Sequence, residues 1–218
     1  MINIAIDGPA GAGKSTIAKL TASKLGFVYA DTGALYRTIG VNALRKGIDT
    51  KNAADVVSSL DTVKVTLGFV DGSQHVFLNG EDVSDEIRLP EASMAASDVS
   101  AVPEVRKFLL DLQRDIAKNN NCIMDGRDMG TVILPDADYK FFLTASVRVR
   151  AERRFKELKE KGINVDFDNL MKEIEERDYQ DSHREIAPLK QAEDAILIDS
   201  SYMSIDEVAD FISSKIGV

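Results

Sequence analysis

The stretch Gly8-Pro9-Ala10-Gly11-Ala12-Gly13-Lys14-Ser15-Thr16, close to the first residue, decides the fold. It fits the pattern G-x-x-x-x-G-K-S/T, in which glycines let successive backbone N–H groups turn inward around a phosphate. The run Ile2–Ile6 before it is mostly apolar and of strand length, and the apolar residues of 17–25 after it have helical spacing that ends at Gly26. A strand, a glycine-rich turn and a helix are the context that a phosphate-binding loop requires.

The loop has the chemistry of an anion site. All nine of its residues are predicted to line the phosphates of a nucleoside triphosphate, because the curled backbone and the N-terminal end of the next helix both present N–H groups. Lys14 can reach the outer phosphates, and the Ser15 hydroxyl can bind a Mg²⁺ ion that bridges them. The motif therefore predicts nucleotide binding with magnesium.

Composition limits the remaining possibilities. The 218 residues are enough for one domain, or for one domain that carries inserted subdomains. The net charge of -9 argues against non-specific binding to nucleic acid or to an anionic membrane. Cys122 is the single cysteine and lies in an apolar run, so we expect it to be buried and the protein to be cytoplasmic. The sequence has neither a signal-peptide pattern nor a long apolar stretch, which predicts no export and no membrane insertion.

Alternating strand and helix patterns predict an α/β fold with a five-stranded parallel sheet flanked by helices. The five apolar runs of strand length are 2–6, 27–30, 122–124, 139–143 and 195–198. Helical spacing is expected in 35–44, 51–60, 103–116, 147–158, 167–177 and 205–212. The helix over 167–177 is expected to be short, with Asp181 on the loop that follows it. Ser204 and Glu207 predict a capping box for the last helix.

The pattern changes after Asp61. Apolar and polar residues alternate over 63–69, which is the period of a half-buried strand. Asp71-Gly72 and Asn79-Gly80 are both strong signals for type I′ hairpin turns. These signals predict a small three-stranded antiparallel insert, over about residues 62–84, that stands apart from the parallel sheet.

Arginines near the predicted strand ends indicate a second anion site. Ligands of parallel sheets collect at the carboxyl ends of the strands, where Asp31–Gly33 and Asp125–Asp128 lie. The arginines on these and adjoining segments are Arg37, Arg106, Arg127, Arg177 and Arg184, and four more crowd one helix start (Arg148, Arg150, Arg153 and Arg154). Because guanidinium groups bind phosphate oxygens in pairs, this cluster favours transfer of a phosphoryl group between two anionic molecules.

Four segments, in order, resemble the bacterial cytidylate kinase family over essentially the whole chain. They are Gly8–Thr16, Asp31–Arg37, Asp125–Val132 and Glu176–Leu189. The Asp-Gly-Arg-Asp-Met-Gly run that starts at 125 and the Arg…Asp…Arg…Ala-Pro-Leu run within 177–189 are far more specific than the phosphate loop. Thr32 stands where the family commonly has serine, and its hydroxyl is expected to keep the contact.

The resemblance implies a P-loop NTPase-type fold and an ATP:CMP phosphotransferase that also accepts dCMP. It implies a core (1–31, 119–147 and 190–218), a nucleoside monophosphate-binding region that contains the antiparallel insert (32–118), and a segment with a short lid and a substrate loop (148–189). The expected substrates and cofactor are ATP, Mg²⁺ and CMP or dCMP, and the expected state is a monomer.

The resemblance also implies a role for each matching residue. Lys14, Arg127, Arg153 and Arg184 would act in catalysis. The acceptor phosphate would be held by Arg37, Arg127 and Arg184, the cytosine by Ser97, Arg106 and Asp128, and the ribose by Arg177 and Asp181. Thr32 would contact the substrate and Ser15 would bind magnesium, with Asp125 as a further candidate ligand.

The base assignment is chemically reasonable for Asp128 and Arg106. The N4 amino group of cytosine can donate to a carboxylate, and N3 and O2 can accept from an arginine. Uracil would place a carbonyl against the carboxylate and should be disfavoured. Asp128 as a helix or turn cap is the alternative, and Ser93 or Ser100 could replace Ser97.

Three other functions stay open at this point. One is a P-loop kinase for UMP, dTMP or shikimate, which the antiparallel insert and the run from Asp125 disfavour. The second is a nucleotide-dependent regulatory switch, which would leave the second anion site without a purpose. The third is nucleic-acid binding, which the acidic composition disfavours.

Overall fold

The computed structural model describes residues 1–70 and 73–217. The chain forms two compact units: unit 1 is Met1–Tyr29 with Ala117–Val218, and unit 2 is Ala30–Ile116. In chain order the elements are β1 (Asn3–Asp7), α1 (Lys14–Leu25), β2 (Val28–Asp31), α2 (Thr32–Arg45), α3 (Ala53–Leu60), β3 (Val65–Val70), β4 (Ser73–Leu78), β5 (Glu81–Asp82), α4 (Pro90–Ser100), α5 (Pro103–Asn119), β6 (Cys122–Gly126), β7 (Tyr139–Thr144), α6 (Val147–Glu160), α7 (Phe167–His183), β8 (Ile196–Asp199) and α8 (Ile205–Ile216).

The five-stranded parallel sheet is confirmed. Its strand order is β2-β6-β1-β7-β8, and β1 pairs in parallel with both β6 and β7. Parallel strands end at one edge, so the chain segments that follow Asp7, Gly126, Thr144 and Asp199 begin side by side in unit 1. This edge carries the phosphate loop.

The core of unit 1 comes from the apolar strands and the helices that cover them. Ile4, Ile6 and Phe141 are buried in the sheet, and Ile17 of α1 and Ile212 of α8 pack in the same cluster. Removing such large apolar side chains from water is the main stabilising term for a sheet of this kind.

Cys122 lies at the start of β6 and is fully buried, as expected. Burial raises the pKa of its thiol to about 12. A thiol in this state is a small apolar core residue with little nucleophilic character.

The predicted start of α8 is confirmed, and the predicted end of α7 is wrong. Ser204 and Glu207 form the expected capping box at the start of α8. The short helix over 167–177 is wrong, because α7 continues to His183 and carries Asp181 on the helix itself. The buried face of its last turns is polar, so apolar periodicity could not detect it.

Unit 2 contains the antiparallel insert and the helices that cover it. The three-stranded sheet has the order β3-β4-β5, and β3 pairs antiparallel with β4, as predicted. Asn79 (φ 53°) and Gly80 (φ 88°) both have positive φ, which is the conformation of a type I′ turn. The other predicted turn, at Asp71-Gly72, lies outside the described residues. The core of this unit includes Leu35, Ile39 and Val99.

The helix α4 is the element that the sequence patterns did not indicate. Its apolar residues are mainly alanines, so it lacks a strong apolar stripe. It packs closely on α2 at Gly40, where a Cβ atom would lie 2.8 Å from the Cβ of Ala95. Small side chains on both helices permit this approach, and they also conceal the helix from an apolar pattern.

Among residues 1–70 and 73–217, no helix is both long and apolar enough to span a bilayer.

Candidate active site

The glycines of the phosphate loop are required by its geometry. Gly8 has φ 148°, and a Cβ atom there would lie 1.9 Å from the carbonyl oxygen of Leu143 on β7. Gly13 has a left-handed backbone (φ 92°) and directly precedes the first residue of α1. The unpaired N–H groups of the first helical turn therefore face the loop, as in an anion-binding site.

Lys14 is buried under this loop. Its Nζ donates a hydrogen bond of 2.8 Å to the carbonyl oxygen of Pro9. Burial and, after it, the nearby charge of Arg127 lower the pKa of Lys14 to about 7, and Asp125 is the strongest of the carboxylates that oppose this shift. A phosphate placed here would offset the repulsion between the two cations.

Ser15 and Asp125 form a candidate magnesium site. The Ser15 hydroxyl donates a hydrogen bond of 3.0 Å to Oδ2 of Asp125, and the Tyr29 hydroxyl donates one of 2.7 Å to Oδ1. A hydroxyl and a carboxylate are hard oxygen ligands, which is the chemistry that Mg²⁺ prefers. The pair fits the ion that the motif implies, and Tyr29 orients the carboxylate although no sequence pattern indicated it.

The turn after β6 brings two predicted arginines to two predicted carboxylates. Nε of Arg127 donates a hydrogen bond of 2.7 Å to Oδ2 of Asp181. Nη2 of Arg184 lies 3.4 Å from Oδ1 of Asp128, and both of these side chains are largely buried. Burial alone would raise the pKa of Asp181, but Arg127 and other arginines hold it below its usual value. Four predicted site residues thus form two ion pairs within unit 1.

Among the described residues, Asp128 does not provide a side-chain cap at the start of the helical turn that follows it, where the sequence left such a role open. Asp128 precedes a π-helical turn, Met129–Ile133, and within the described residues its side chain makes no capping hydrogen bond to that turn. The carboxylate of Asp7 performs this function instead, since it accepts the N–H groups of Met129 (2.7 Å) and Gly130 (2.8 Å). Asp128 pairs with Arg184 instead of capping the turn.

Arg150 of α6 supports the outside of the phosphate loop. It donates hydrogen bonds to the carbonyl oxygens of Ala10 (3.0 Å) and Ala145 (2.9 Å) and pairs with Asp178 of α7 at 2.5 Å. Its side chain is almost completely buried. Neither Arg150 nor Asp178 had an assigned role, because contacts to backbone carbonyls leave no sequence pattern.

Arg153, which the resemblance assigned to catalysis, lies near the same loop. It donates a hydrogen bond of 2.7 Å to the carbonyl oxygen of Ser200, and its Nη1 lies 3.5 Å from the carbonyl oxygen of Ala12. Arg148 and Arg154 instead pair with glutamates of their own helix. Of the four arginines of α6, two therefore contact the phosphate loop and two lie on the surface of the helix.

Three of the remaining predicted residues lie near the start of α2 and on α5 in unit 2. Thr32 is buried as the first residue of α2, and Arg37 pairs with Asp31 at 2.7 Å. Arg106 is buried, donates a hydrogen bond of 3.3 Å to the carbonyl oxygen of Ser100, and lies over the ring of Tyr36.

The other two predicted residues are half-buried on helices. Ser97 lies on α4, and its carbonyl oxygen accepts a hydrogen bond of 2.9 Å from the hydroxyl of Ser100. Arg177 lies on α7, where its charge lowers the pKa of Asp181.

The parallel sheet, the phosphate loop and the arginine-bearing turn at the same edge define a P-loop kinase fold. Two solved structures with 14% sequence identity share it: an uncharacterized protein from Eubacterium ventriosum (TM-score 0.55, covering 100% of this chain and 99% of that one) and a shikimate kinase from Bacteroides thetaiotaomicron (TM-score 0.51, with the same coverage). At this identity the likeness is one of fold.

Sequence comparison is more specific. The family model described as cytidylate kinase matches residues 4–217. The cytidylate kinase of Caldicellulosiruptor saccharolyticus is 55% identical, with 95% of this chain and 92% of the relative covered. That of Clostridium botulinum is 48% identical, with 99% and 97% covered. The chain belongs to the cytidylate kinase family.

The pKa of Lys14 predicts proton uptake when a nucleotide binds. At pH 8 the free side chain is largely neutral, and phosphate oxygens beside Nζ favour the charged form, so its pKa rises on binding. Calorimetric titration with ATP at pH 8, in two buffers of different ionisation enthalpy, should show that the complex takes up protons. The terminal phosphate of ATP, with its pKa of about 6, is already ionised at this pH, so the uptake reports on Lys14. Affinity should fall as the pH rises above 7.

Lys14→Arg is the matched control for this measurement. Its guanidinium keeps the charge but does not titrate in this range, so the proton uptake should disappear. A binding enthalpy of the wild-type protein that is the same in both buffers at pH 8 would contradict the assignment.

Arg150→Ala should weaken nucleotide binding and lower stability. It removes the donors to Ala10 and Ala145 and leaves the half-buried Asp178 without this partner, a change that should cost about 2–4 kcal/mol in unfolding free energy. Arg148→Ala on the same helix removes an exposed pair with Glu152 and should change stability by less than about 1 kcal/mol. Chemical denaturation and ATP titration measure both effects, and equal behaviour of the two variants would show that Arg150 does not support the loop.

Proposed function

We propose that this chain transfers the γ-phosphoryl group of Mg-ATP to CMP, and also to dCMP, and so forms CDP or dCDP and ADP. The main support within the structure is that Lys14 of the phosphate loop lies close enough to Arg127 for their charges to interact. Two cationic groups at one sheet edge suit two phosphates, one on the donor and one on the acceptor. Membership of the cytidylate kinase family identifies CMP as the acceptor.

In the proposed reaction an oxygen of the CMP phosphate attacks the γ-phosphorus of ATP. The bond from the γ-phosphorus to the bridging oxygen breaks, and ADP leaves with that electron pair. The attacking oxygen is already ionised at neutral pH, so the reaction requires no general base. Lys14, Arg127 and Arg184 offset the negative charge that spreads over the transferring group, with Arg153 as the candidate from α6.

Magnesium, when bound, neutralises charge on the donor phosphates and orients them. Ser15 is the proposed ligand, and the hydrogen bonds of Asp125 with Ser15 and Tyr29 support Asp125 as a second candidate. The carboxylate is already oriented before any ion arrives, which reduces the cost of ordering it.

Acceptor recognition is assigned from the family resemblance. Asp128 would accept from the N4 amino group of cytosine, while Arg106 and Ser97 would contact its acceptor edge. The burial of Asp128 supports this assignment, because a buried carboxylate oxygen that faces a carbonyl of uracil would repel it and receive no hydrogen bond from the base. Further contacts are proposed for Thr32, for Arg37 with the acceptor phosphate, and for Arg177 and Asp181 with the ribose.

We also propose the division of the chain that the resemblance implies. Residues 1–31, 119–147 and 190–218 form the core, residues 32–118 bind the nucleoside monophosphate, and residues 148–189 form the lid and substrate loop. Closure of the lid would exclude water that otherwise hydrolyses ATP. The enzyme is proposed to act as a monomer in the cytoplasm, where the buried, unpaired Cys122 suits a reducing environment.

A coupled assay of ADP release tests the acceptor. With Mg-ATP and a panel of CMP, dCMP, UMP, dTMP, AMP and shikimate, turnover should be fastest with CMP and clear with dCMP. UMP should be slower by about tenfold to hundredfold, which corresponds to one unsatisfied buried polar group. ADP released only with UMP, AMP or shikimate would refute the proposal, and ADP released equally without an acceptor would indicate an ATPase.

Asp128→Ala should reduce kcat/KM for CMP by about tenfold to hundredfold and leave ATP affinity nearly unchanged, because the variant removes a charged hydrogen bond to the base, and its ion-pair partner, Arg184, is assigned to the acceptor phosphate. Asp136→Ala, at an exposed position in the following turn, is the matched control and should behave like the wild type. The kinetic constants for CMP and a separate ATP titration measure the two effects. Equal losses for both nucleotides would instead indicate a structural role.

A further inference from the structure

Asp7 is a buried carboxylate for which the proposed reaction has no direct use. It is the last residue of β1 and immediately precedes the phosphate loop, yet both of its oxygens face the turn after β6. Only 4% of its surface is exposed. Burying a carboxylate is costly unless the charge is matched, so this position calls for an explanation.

The partners of Asp7 are two successive N–H groups. Oδ1 accepts from Met129 at 2.7 Å and Oδ2 accepts from Gly130 at 2.8 Å. These are the first two N–H groups of the π-helical turn, which have no partner within that turn. A carboxylate is the side chain that satisfies two adjacent donors at once, since an amide offers one acceptor and one donor.

We propose that Asp7 is a positioning residue for the acceptor site: it clamps the Met129–Gly130 turn and thereby holds the carboxylate of Asp128 toward Arg184. The inference rests on the proposed role of Asp128 in CMP recognition. The turn begins directly after Asp128, so the two hydrogen bonds fix the backbone that carries this side chain.

Gly130 and Lys140 complete the clamp from the other side. A Cβ atom at Gly130 would lie 3.1 Å from Cδ of Lys140 and 3.5 Å from Oδ2 of Asp7. Lys140 is itself fixed, because Nζ donates a hydrogen bond to Oδ2 of Asp194 at 2.7 Å. The last glycine of the Asp-Gly-Arg-Asp-Met-Gly run therefore lies between the carboxylate and a buried alkyl chain, and a methyl group there would press on that chain.

The charges around Asp7 are consistent with this role. The pKa of Asp7 is raised to about 6, mainly by burial and to a smaller extent by the negative charge of Asp128, while the two N–H groups oppose the rise. The two carboxylates are therefore close enough to interact, and the hydrogen bonds to the turn keep them in one arrangement. Arg184 is a cation that lies beside Asp128.

The test is Asp7→Asn, which keeps the shape and replaces one acceptor by a donor that faces Gly130. We expect kcat/KM for CMP to fall by about tenfold to hundredfold, as for a small misplacement of a binding group. ATP affinity should change by less than about threefold, because Asp125 and Asp181 act on Lys14 more strongly than Asp7 does. Asp138→Asn is the control, since the carboxylate of Asp138 accepts the N–H of Asn3 at the other end of β1.

A double variant separates positioning from a general structural effect. If Asp7 acts through Asp128, then Asp7→Asn should add little to the loss of CMP efficiency that Asp128→Ala already causes. Gly130→Ala presses a methyl group between Lys140 and the same turn while it keeps Asp7. We expect it to reproduce the selective loss for CMP, so it decides the question if Asp7→Asn does not fold. Additive losses, or equal losses for CMP and ATP, would overturn the inference.

The wild-type assay separates this inference from the proposed function. Wild-type protein that does not phosphorylate CMP contradicts the proposed function. Wild-type activity with CMP, combined with Asp7→Asn kinetics equal to those of Asp138→Asn, contradicts the role of Asp7 alone.

Discussion

The repulsion between Lys14, which is buried, and Arg127, which is partly buried, is the constraint on which the site in unit 1 depends. The protein keeps both in place by surrounding them with carboxylates, of which Asp181 pairs directly with Arg127 and Asp125 acts on Lys14. Burial, together with this balance of charges, leaves Lys14 with a pKa of about 7, so phosphate oxygens are the partners that restore its full charge. The affinity of the site for phosphate is thus prepared within the folded chain.

Much of the fold could be predicted because its signals are local. The glycine-lysine motif, the apolar runs of strand length and the Asn79-Gly80 turn each report a backbone conformation through a few neighbouring residues. The family match to residues 4–217 agrees with the segments that carried the resemblance. The missed helix α4 and the wrong end of α7 have a common cause, which is a weak apolar pattern: α4 is built on alanines, and the end of α7 buries Asp181 in place of an apolar residue.

The residues that hold the site in place were harder to predict than the residues that are expected to touch the substrates. Arg150 acts on the carbonyl groups of Ala10 and Ala145, and Asp7 acts on backbone N–H groups more than a hundred residues away. Backbone atoms are the same at every position, so such contacts place no requirement on the letters of the partner segment. One signal was available for Asp7, namely an acidic residue at the end of a buried strand directly before a phosphate loop.

The inert thiol of Cys122 makes the protein a nearly cysteine-free background for chemical labelling. Its raised pKa and complete burial leave almost no thiolate to react with a maleimide at neutral pH. A cysteine introduced at one exposed position in each unit would therefore accept dyes selectively, without prior removal of the native residue. Energy transfer between such dyes could follow the separation of the two units throughout a catalytic cycle.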